Sequence, residues 1–194
     1  EEYGGAGLSF TDLAVVFEVL GYYASSSPLL DSGVLSAQAI IEAGSDAQKK
    51  DILPAIASGQ QIFSFAFTEP EYGWGPNSIK MQATLSNDNY LLNGTKLFIP
   101  WAHVADQIMV VARTSEEVAP EEGISLFLVD KNTPGLSTRL QQGWIGDKTC
   151  EVTFENVAVP SSSLVGGVGK AWPSLERAMD KATAVLCAYM AGGA

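Results

Sequence analysis

Two cysteines, Cys150 and Cys187, and a single histidine, His103, are the only thiol and imidazole side chains among 194 residues. One histidine argues against a His/Cys zinc site and against a Ser-His-Asp triad built on any other histidine. The cysteines are far apart and lack CxxC spacing, so they read as reduced thiols of a cytoplasmic protein rather than a disulfide framework. Positive charge is scarce: 11 Lys and Arg stand against 22 Asp and Glu, a net charge of −11. Phosphate backbones and anionic membranes demand a basic face, so neither is expected as the main partner. An anionic cofactor held by backbone N–H groups stays compatible with this balance. Long apolar runs are also missing, and none approaches the ~18 residues of a membrane span.

Hydrophobic residues are plentiful at 46%, with only 17% charged, so a sizeable core is expected. The chain opens without Met on the loop "EEYGGAG" and closes on "AGGA" after a helical pattern. It therefore reads as part of a longer polypeptide. Ser9–Leu20 has helical spacing, with Ser9 as N-cap and Gly21 as stop. A second helix is expected over Asp31–Ala43. A third starts at Ser45, where Ser-Asp-Ala-Gln forms a capping box with Gln48, and Pro54 interrupts it. From Phe63 the period changes to two: Phe63, Phe65 and Phe67 alternate with Ser64 and Ala66, so the three rings should share a face. Seven or eight short strands follow. One break is expected at Ser86–Asn89 and a bend into a further strand at Asn93-Gly94. The acidic run Glu116, Glu117, Glu121 and Glu122 reads as a solvated loop. The spacing suggests an antiparallel barrel or sandwich. Helical period returns after Lys170, with Trp172, Leu175, Met179, Ala182 and Leu186 as the apolar face, one that needs partners from a missing bundle or another copy.

Three stretches could carry chemistry. "FAFTEPEYGWGPNSI" (Phe65–Ile79) ends a strand in a turn rich in glycine and proline, and offers backbone N–H groups and the Thr68 hydroxyl at a sheet edge. In "LLNGTKLFIPWAHVAD" (Leu91–Asp106), Phe98 and Trp101 flank Ile99-Pro100, where a planar ligand could stack. "CEVTFENVAVPSSSLVGGVGKAW" (Cys150–Trp172) is a strand, a glycine-rich hinge and a helix start. Its Gly166–Gly169 spacing is too weak to name a phosphate loop. Taken singly, each also fits an ordinary loop, a pair of half-buried aromatics or a hinge.

In this order the motifs resemble the acyl-CoA dehydrogenases. The similarity rests on "EEYGG", "LPAIASG" (Leu53–Gly59), "TEP-x-x-G", "NGTK", "AD" through "VAR" (Ala105–Arg113, one residue longer than usual) and the "V-x-VP" exit. The resemblance implies an α+β chain. Residues 1–60 would end an N-terminal helical domain, 61–160 would form a middle β domain, and 161–194 would be a hinge and the first helix of a C-terminal bundle. It implies FAD as cofactor, an acyl-CoA substrate oxidised to the 2,3-enoyl-CoA, electron-transfer flavoprotein as acceptor, and a homo- or hetero-oligomer. Carried over by position, Phe65, Phe67, Thr68, Phe98, Ile99 and Pro100 would line the flavin. Gly73 and Trp74 would sit where flavin and thioester chain meet, with Trp74 against substrate.

Two positions depart from the family pattern. Gly73-Trp74-Gly75 stands in place of Gly-Ser-Asp, and Pro100 in place of a Thr or Ser near flavin N5. The ring edge would lose one or two hydrogen bonds, each about 1 kcal/mol net. No catalytic residue is assigned. The family's glutamate base would usually fall beyond residue 194, and Glu176, on the last helix, matches its start rather than its middle. A non-catalytic, flavin-poor subunit of a hetero-oligomer therefore stands as the alternative, and a flavin-using relative with other chemistry, such as an oxygenase, as a third reading.

Overall fold

The structure, a computed structural model, describes residues 2–71, 73–116, 118–143 and 147–194. Glu1 of the opening loop and Glu117 of the acidic run lie outside them. Helix α1 spans Phe10–Tyr22, capped by Ser9 with Asp12 bonding back to it. A π-helical segment, Leu30–Ser36, runs directly into α2, Ala37–Ala43. Helix α3 covers Asp46–Ala57 and carries the expected Ser45–Gln48 capping box.

Two expected helix stops do not stop their helices. Gly21 lies inside α1, and its missing Cβ has a tertiary reason: a methyl there would strike the backbone of Tyr189 in α4 (Trp172–Gly193). Gly192 does the same for α4, whose own Cβ would strike the Glu18 carbonyl. The pair lets α1 and α4 approach backbone to backbone. Pro54 sits within α3 without ending it. It removes one helical N–H, but Lys50, four residues earlier, is exposed, so water can serve the freed carbonyl.

Eight strands follow: β1 Phe63–Ala66, β2 Gln82–Ser86, β3 Asn89–Pro100, β4 Gln107–Arg113, β5 Ile124–Asp130, β6 Leu136–Gln142, β7 Lys148–Pro160 and β8 Leu164–Val165. They form one sheet in the order β6-β7-β3-β2-β4-β5-β8, with β1 pairing β4 off that path. The α+β reading holds, with helices before and after the β block. The barrel does not: the described strands form an open sheet, and it is mixed. β1 runs parallel to β4, and its start is tied on two sides: Phe63 N–H donates to Ser32 Oγ (3.0 Å) of the π segment, and Ile62 N–H to Asp106 Oδ2 (3.0 Å), just before β4. Asn93-Gly94 is a bulge within β3 rather than a bend into another strand; the register with β7 shifts there, and Gly94 has φ 147°.

Two cores lie on opposite faces of the sheet. Phe63, Phe65, Met109 and Val111 pack with Ile40, Leu53, Trp172 and Leu175, between sheet and helices. Ile108, Val110, Phe127, Leu92, Val152 and Phe154 pack where the sheet curls over itself. The continuous apolar run of β4 follows, since both of its faces are buried. Phe63, Phe65 and Phe67 share the helical side, as the period of two requires.

Helix α4 corrects another expectation. Its buried stripe is Trp172, Leu175, Ala178, Ala182 and Val185, part of it against Phe17 of α1 and Val34 of the π segment, so helices of the same chain cover it. Met179 and Leu186 leave that stripe and face a cavity. The glycine-rich hinge is pinned to β5: Gly169 N–H donates to Ser125 Oγ (2.8 Å) and Ala171 N–H to the Ile124 carbonyl (2.9 Å).

Candidate functional site

The cavity has a volume of about 620 Å³ and two walls. One is β-sheet and loop: Phe65, Phe67, Thr68, Trp74, Phe98, Ile99 and Pro100. The other is helical: Leu30, Asp31 and Leu35 from the π segment, and Met179, Ala182, Thr183 and Leu186 from α4. The two sequence stretches meet because β1 and β3 are neighbours at this end. Leu97 N–H donates to the Thr68 carbonyl (2.8 Å), and Ser64 Oγ donates to the Pro100 carbonyl (2.6 Å). The backbone is strained here. Phe98 and Trp101, on either side of Ile99-Pro100, both have positive φ, 55° and 61°, where β3 slips register against β7.

The Thr68-Glu69-Pro70 turn is held from behind by an ion pair. Glu69 Oε1 accepts from Lys96 Nζ at 2.7 Å, with both side chains almost wholly buried (4% and 0% exposed). The carboxylate also accepts from the N–H groups of Lys80 and Met81, and Lys96 Nζ donates to the Phe67 carbonyl (3.1 Å). Burial pulls the Lys96 ammonium down to about 8, while the neighbouring carboxylate works in the opposite direction. The loop beyond Trp74 has its own clamp. Arg113 donates to five carbonyl oxygens, of Ile79, Ser115, Glu122, Pro76 and Pro120.

This frame has known counterparts. The profile of the acyl-CoA dehydrogenase N-terminal domain matches residues 1–60, and that of the middle domain residues 64–157. The chain belongs to the acyl-CoA dehydrogenase family. It is 33% identical over 198 residues to the mitochondrial isobutyryl-CoA dehydrogenase of Dictyostelium discoideum, covering 100% of this chain and 47% of that protein. It superposes on the glutaryl-CoA dehydrogenase of Mycobacterium smegmatis, solved in complex with FADH2, with a TM-score of 0.87 and 28% identity over 97% of this chain and 48% of the other. The ChsE4-ChsE5 complex of Mycobacterium tuberculosis matches with a TM-score of 0.81 and 28% identity, over 93% and 46%. The chain spans about half the length of the relatives it matches.

Of the eight residues that the acyl-CoA dehydrogenase pattern puts at the site, seven line this cavity: Phe65, Phe67, Thr68, Trp74, Phe98, Ile99 and Pro100. Gly73 is not on the lining; it turns the chain at φ 150°, its open side facing Ser78. Trp74 stands at the rim, 88% exposed. Glu176 is exposed and is not on the cavity lining. The two cysteines are unpaired, Cys150 buried and Cys187 exposed. No helix among the described residues is long and apolar enough to cross a membrane.

The helical wall is what sequence reasoning missed. Its strongest member is Asp31, the single ionisable side chain on the cavity lining among the described residues. An acid inside the apolar helical run "PLLDSGVL" was the available signal. Burial in this apolar setting raises its carboxyl from 3.8 to about 7. A raised value means that the folded chain keeps the proton over a window in which the unfolded chain has released it. The unfolded state binds fewer protons there, so Asp31 makes stability fall as pH rises from about 4 to about 7. Asp31→Asn removes this loss. The variant should match wild type near pH 4 and exceed it by pH 8, by about 1.4 kcal/mol or more, the equivalent of one pKa unit. Urea unfolding across that range measures it; parallel pH curves for the two chains would refute it.

Proposed function

We propose that this chain forms the flavin-facing part of an FAD-dependent acyl-CoA dehydrogenase that oxidises an acyl-CoA thioester to its 2,3-enoyl-CoA. The observation that carries the reading is the two-walled apolar cavity, whose β wall is built from the residues that the family resemblance assigns to the flavin. These residues fit such a ring. Phe65, Phe67 and Ile99 offer apolar surface, and Thr68, also on the lining, has a hydroxyl with no partner among the described residues. FAD, when bound, supplies the two-electron acceptor for a hydride from the β-carbon. The chain's own part is to hold and dry the site: the β wall supports the ring, and Leu35, Met179 and Leu186 exclude water from the acyl group. The α-proton goes to a glutamate that we place beyond residue 194. Electron-transfer flavoprotein is the proposed acceptor.

One observation favours a second reading, a flavin-poor subunit that completes a hetero-oligomer. Trp74 puts an indole at the rim where a small hydroxyl residue is usual, and Pro100 offers no N–H at the ring edge. A solved relative is itself a complex of two differently named chains, ChsE4 and ChsE5.

Titration of FAD into the full-length protein, followed by quenching of flavin fluorescence, separates these readings. Under the first, wild type binds FAD weakly. Trp74→Ser combined with Pro100→Thr tightens it by about tenfold, since two restored donors add roughly 1 kcal/mol each before losses. Under the second, wild type stays colourless until a partner subunit is added. If neither form binds FAD with or without a partner, the cofactor assignment falls and the fold alone remains.

A further inference from the structure

Asp31 stands at the junction of two cavities. The large one ends at Leu30, Asp31 and Leu186, and a second, of about 170 Å³, begins at the same three residues. The second cavity differs in chemistry. Ser25, Ser26 and Ser27 line it, and Tyr189, across from them, donates its hydroxyl to the Ser25 carbonyl (3.2 Å). The path from the β wall thus meets its first carboxyl at Asp31, and beyond it the small cavity adds three serines to a lining that also includes Phe17, Leu20 and Trp101. The position of the carboxyl is also fixed. It sits on a π-helical segment, a geometry that recurs at functional sites, and the next residue, Ser32, accepts the N–H of Phe63 and so ties that segment to the site's own strand. No hydrogen bond from another described residue occupies the Asp31 carboxyl; the one interaction it makes is with its own backbone.

A plain hydrocarbon tail reaching this point would strip water from the carboxyl and return nothing, an unfavourable exchange for any polar group. A hydroxyl on the tail returns a hydrogen bond in either protonation state: it donates to the carboxylate and accepts from the acid. An ammonium could pair with the ionised form alone. A pocket built to bond a substrate hydroxyl discriminates against the analogue that lacks it, because its own polar group is then left unpaired.

Resting on the acyl-CoA reading above, we infer that Asp31 is a specificity residue that selects acyl-CoA thioesters carrying a hydroxyl on the distal part of the acyl group. Asp31 does not touch the reacting carbons in this assignment; it reads the tail.

The test uses the full-length protein and two matched pairs of thioesters, octanoyl-CoA with ω-hydroxyoctanoyl-CoA and dodecanoyl-CoA with ω-hydroxydodecanoyl-CoA. Binding is measured by calorimetry and turnover by dye reduction. Wild type should bind the hydroxylated member of at least one pair about tenfold more tightly, the value of one added hydrogen bond. Asp31→Leu should abolish or reverse that preference and bind the plain thioester at least as tightly as wild type, since no carboxyl is then desolvated. Asp31→Asn, which still bonds a hydroxyl, should retain part of it. Equal binding within both pairs by wild type overturns the inference but leaves the acyl-CoA reading standing. So does an Asp31→Leu protein that folds and weakens both members alike. A loss of turnover on all substrates in Asp31→Asn, with binding unchanged, would make Asp31 a proton-transfer group and overturn tail selection. If none of the thioesters binds, the acyl-CoA reading fails and the inference with it.

Discussion

Lys96→Met should destabilise the protein by about 3–5 kcal/mol, because it leaves the Glu69 carboxylate buried without its cation. Glu69 would keep the N–H groups of Lys80 and Met81, but these two hydrogen bonds replace neither the ammonium nor its charge. The damage should spread to the site, since Lys96 also holds the Phe67 carbonyl, next to Thr68 on the β wall. The informative control is the double variant, Lys96→Met with Glu69→Gln. Removing both charges is far milder than removing one, and the glutamine oxygen still accepts from the turn. Urea unfolding should therefore show the double variant more stable than Lys96→Met alone. A single variant within about 1 kcal/mol of wild type, below the range for a broken buried pair, would refute the clamp.

Arg113→Ala is the second large effect, and its cause is different. The Arg113 guanidinium is bonded to main-chain oxygens, so truncation orphans carbonyls rather than a charge. Five lose the guanidinium as donor, and of these the Pro76 carbonyl still accepts the Ile79 N–H (3.3 Å). Each carbonyl that stays buried costs about 1–3 kcal/mol, and those near the surface recover water. A net loss of about 3 kcal/mol is expected on that basis. Arg113→Lys should recover less than half of it, because an ammonium cannot spread three donors over two loops. Pro76 and Ile79 belong to the loop that carries Trp74, so the amides of residues 77–81 should exchange faster with solvent in Arg113→Ala even under native conditions. Unchanged protection there would mean that the loop is held by other contacts.

Local periodicity and capping chemistry were enough to read much of this protein from its residues. Ser9 and Ser45 cap their helices because both capping boxes need only groups three residues apart. Phe63, Phe65 and Phe67 share a face because a strand alternates whatever it pairs with. The β wall of the cavity was legible for another reason: Phe65 to Trp74 and Phe98 to Pro100 are contiguous motifs, and contiguous residues stay together on any fold.

Tertiary structure decided what depends on a partner distant in sequence. Gly21 has the composition of a helix stop and is instead a contact point, because the close approach of α4 requires a residue without Cβ. Met179 and Leu186 have the spacing of a core stripe, yet they line a cavity, because the packing of α1 and the π segment sets how α4 is turned. Whether the sheet closes is a matter of which edges meet, and no residue pattern within β6 or β8 encodes the neighbour that each lacks. Asp31 shows the limit most sharply. Along the chain it is one acid among 22 Asp and Glu. Its chemistry comes from the water it loses when Leu30, Leu35 and Leu186 gather around it, and desolvation is a property of the folded surroundings rather than of the residue.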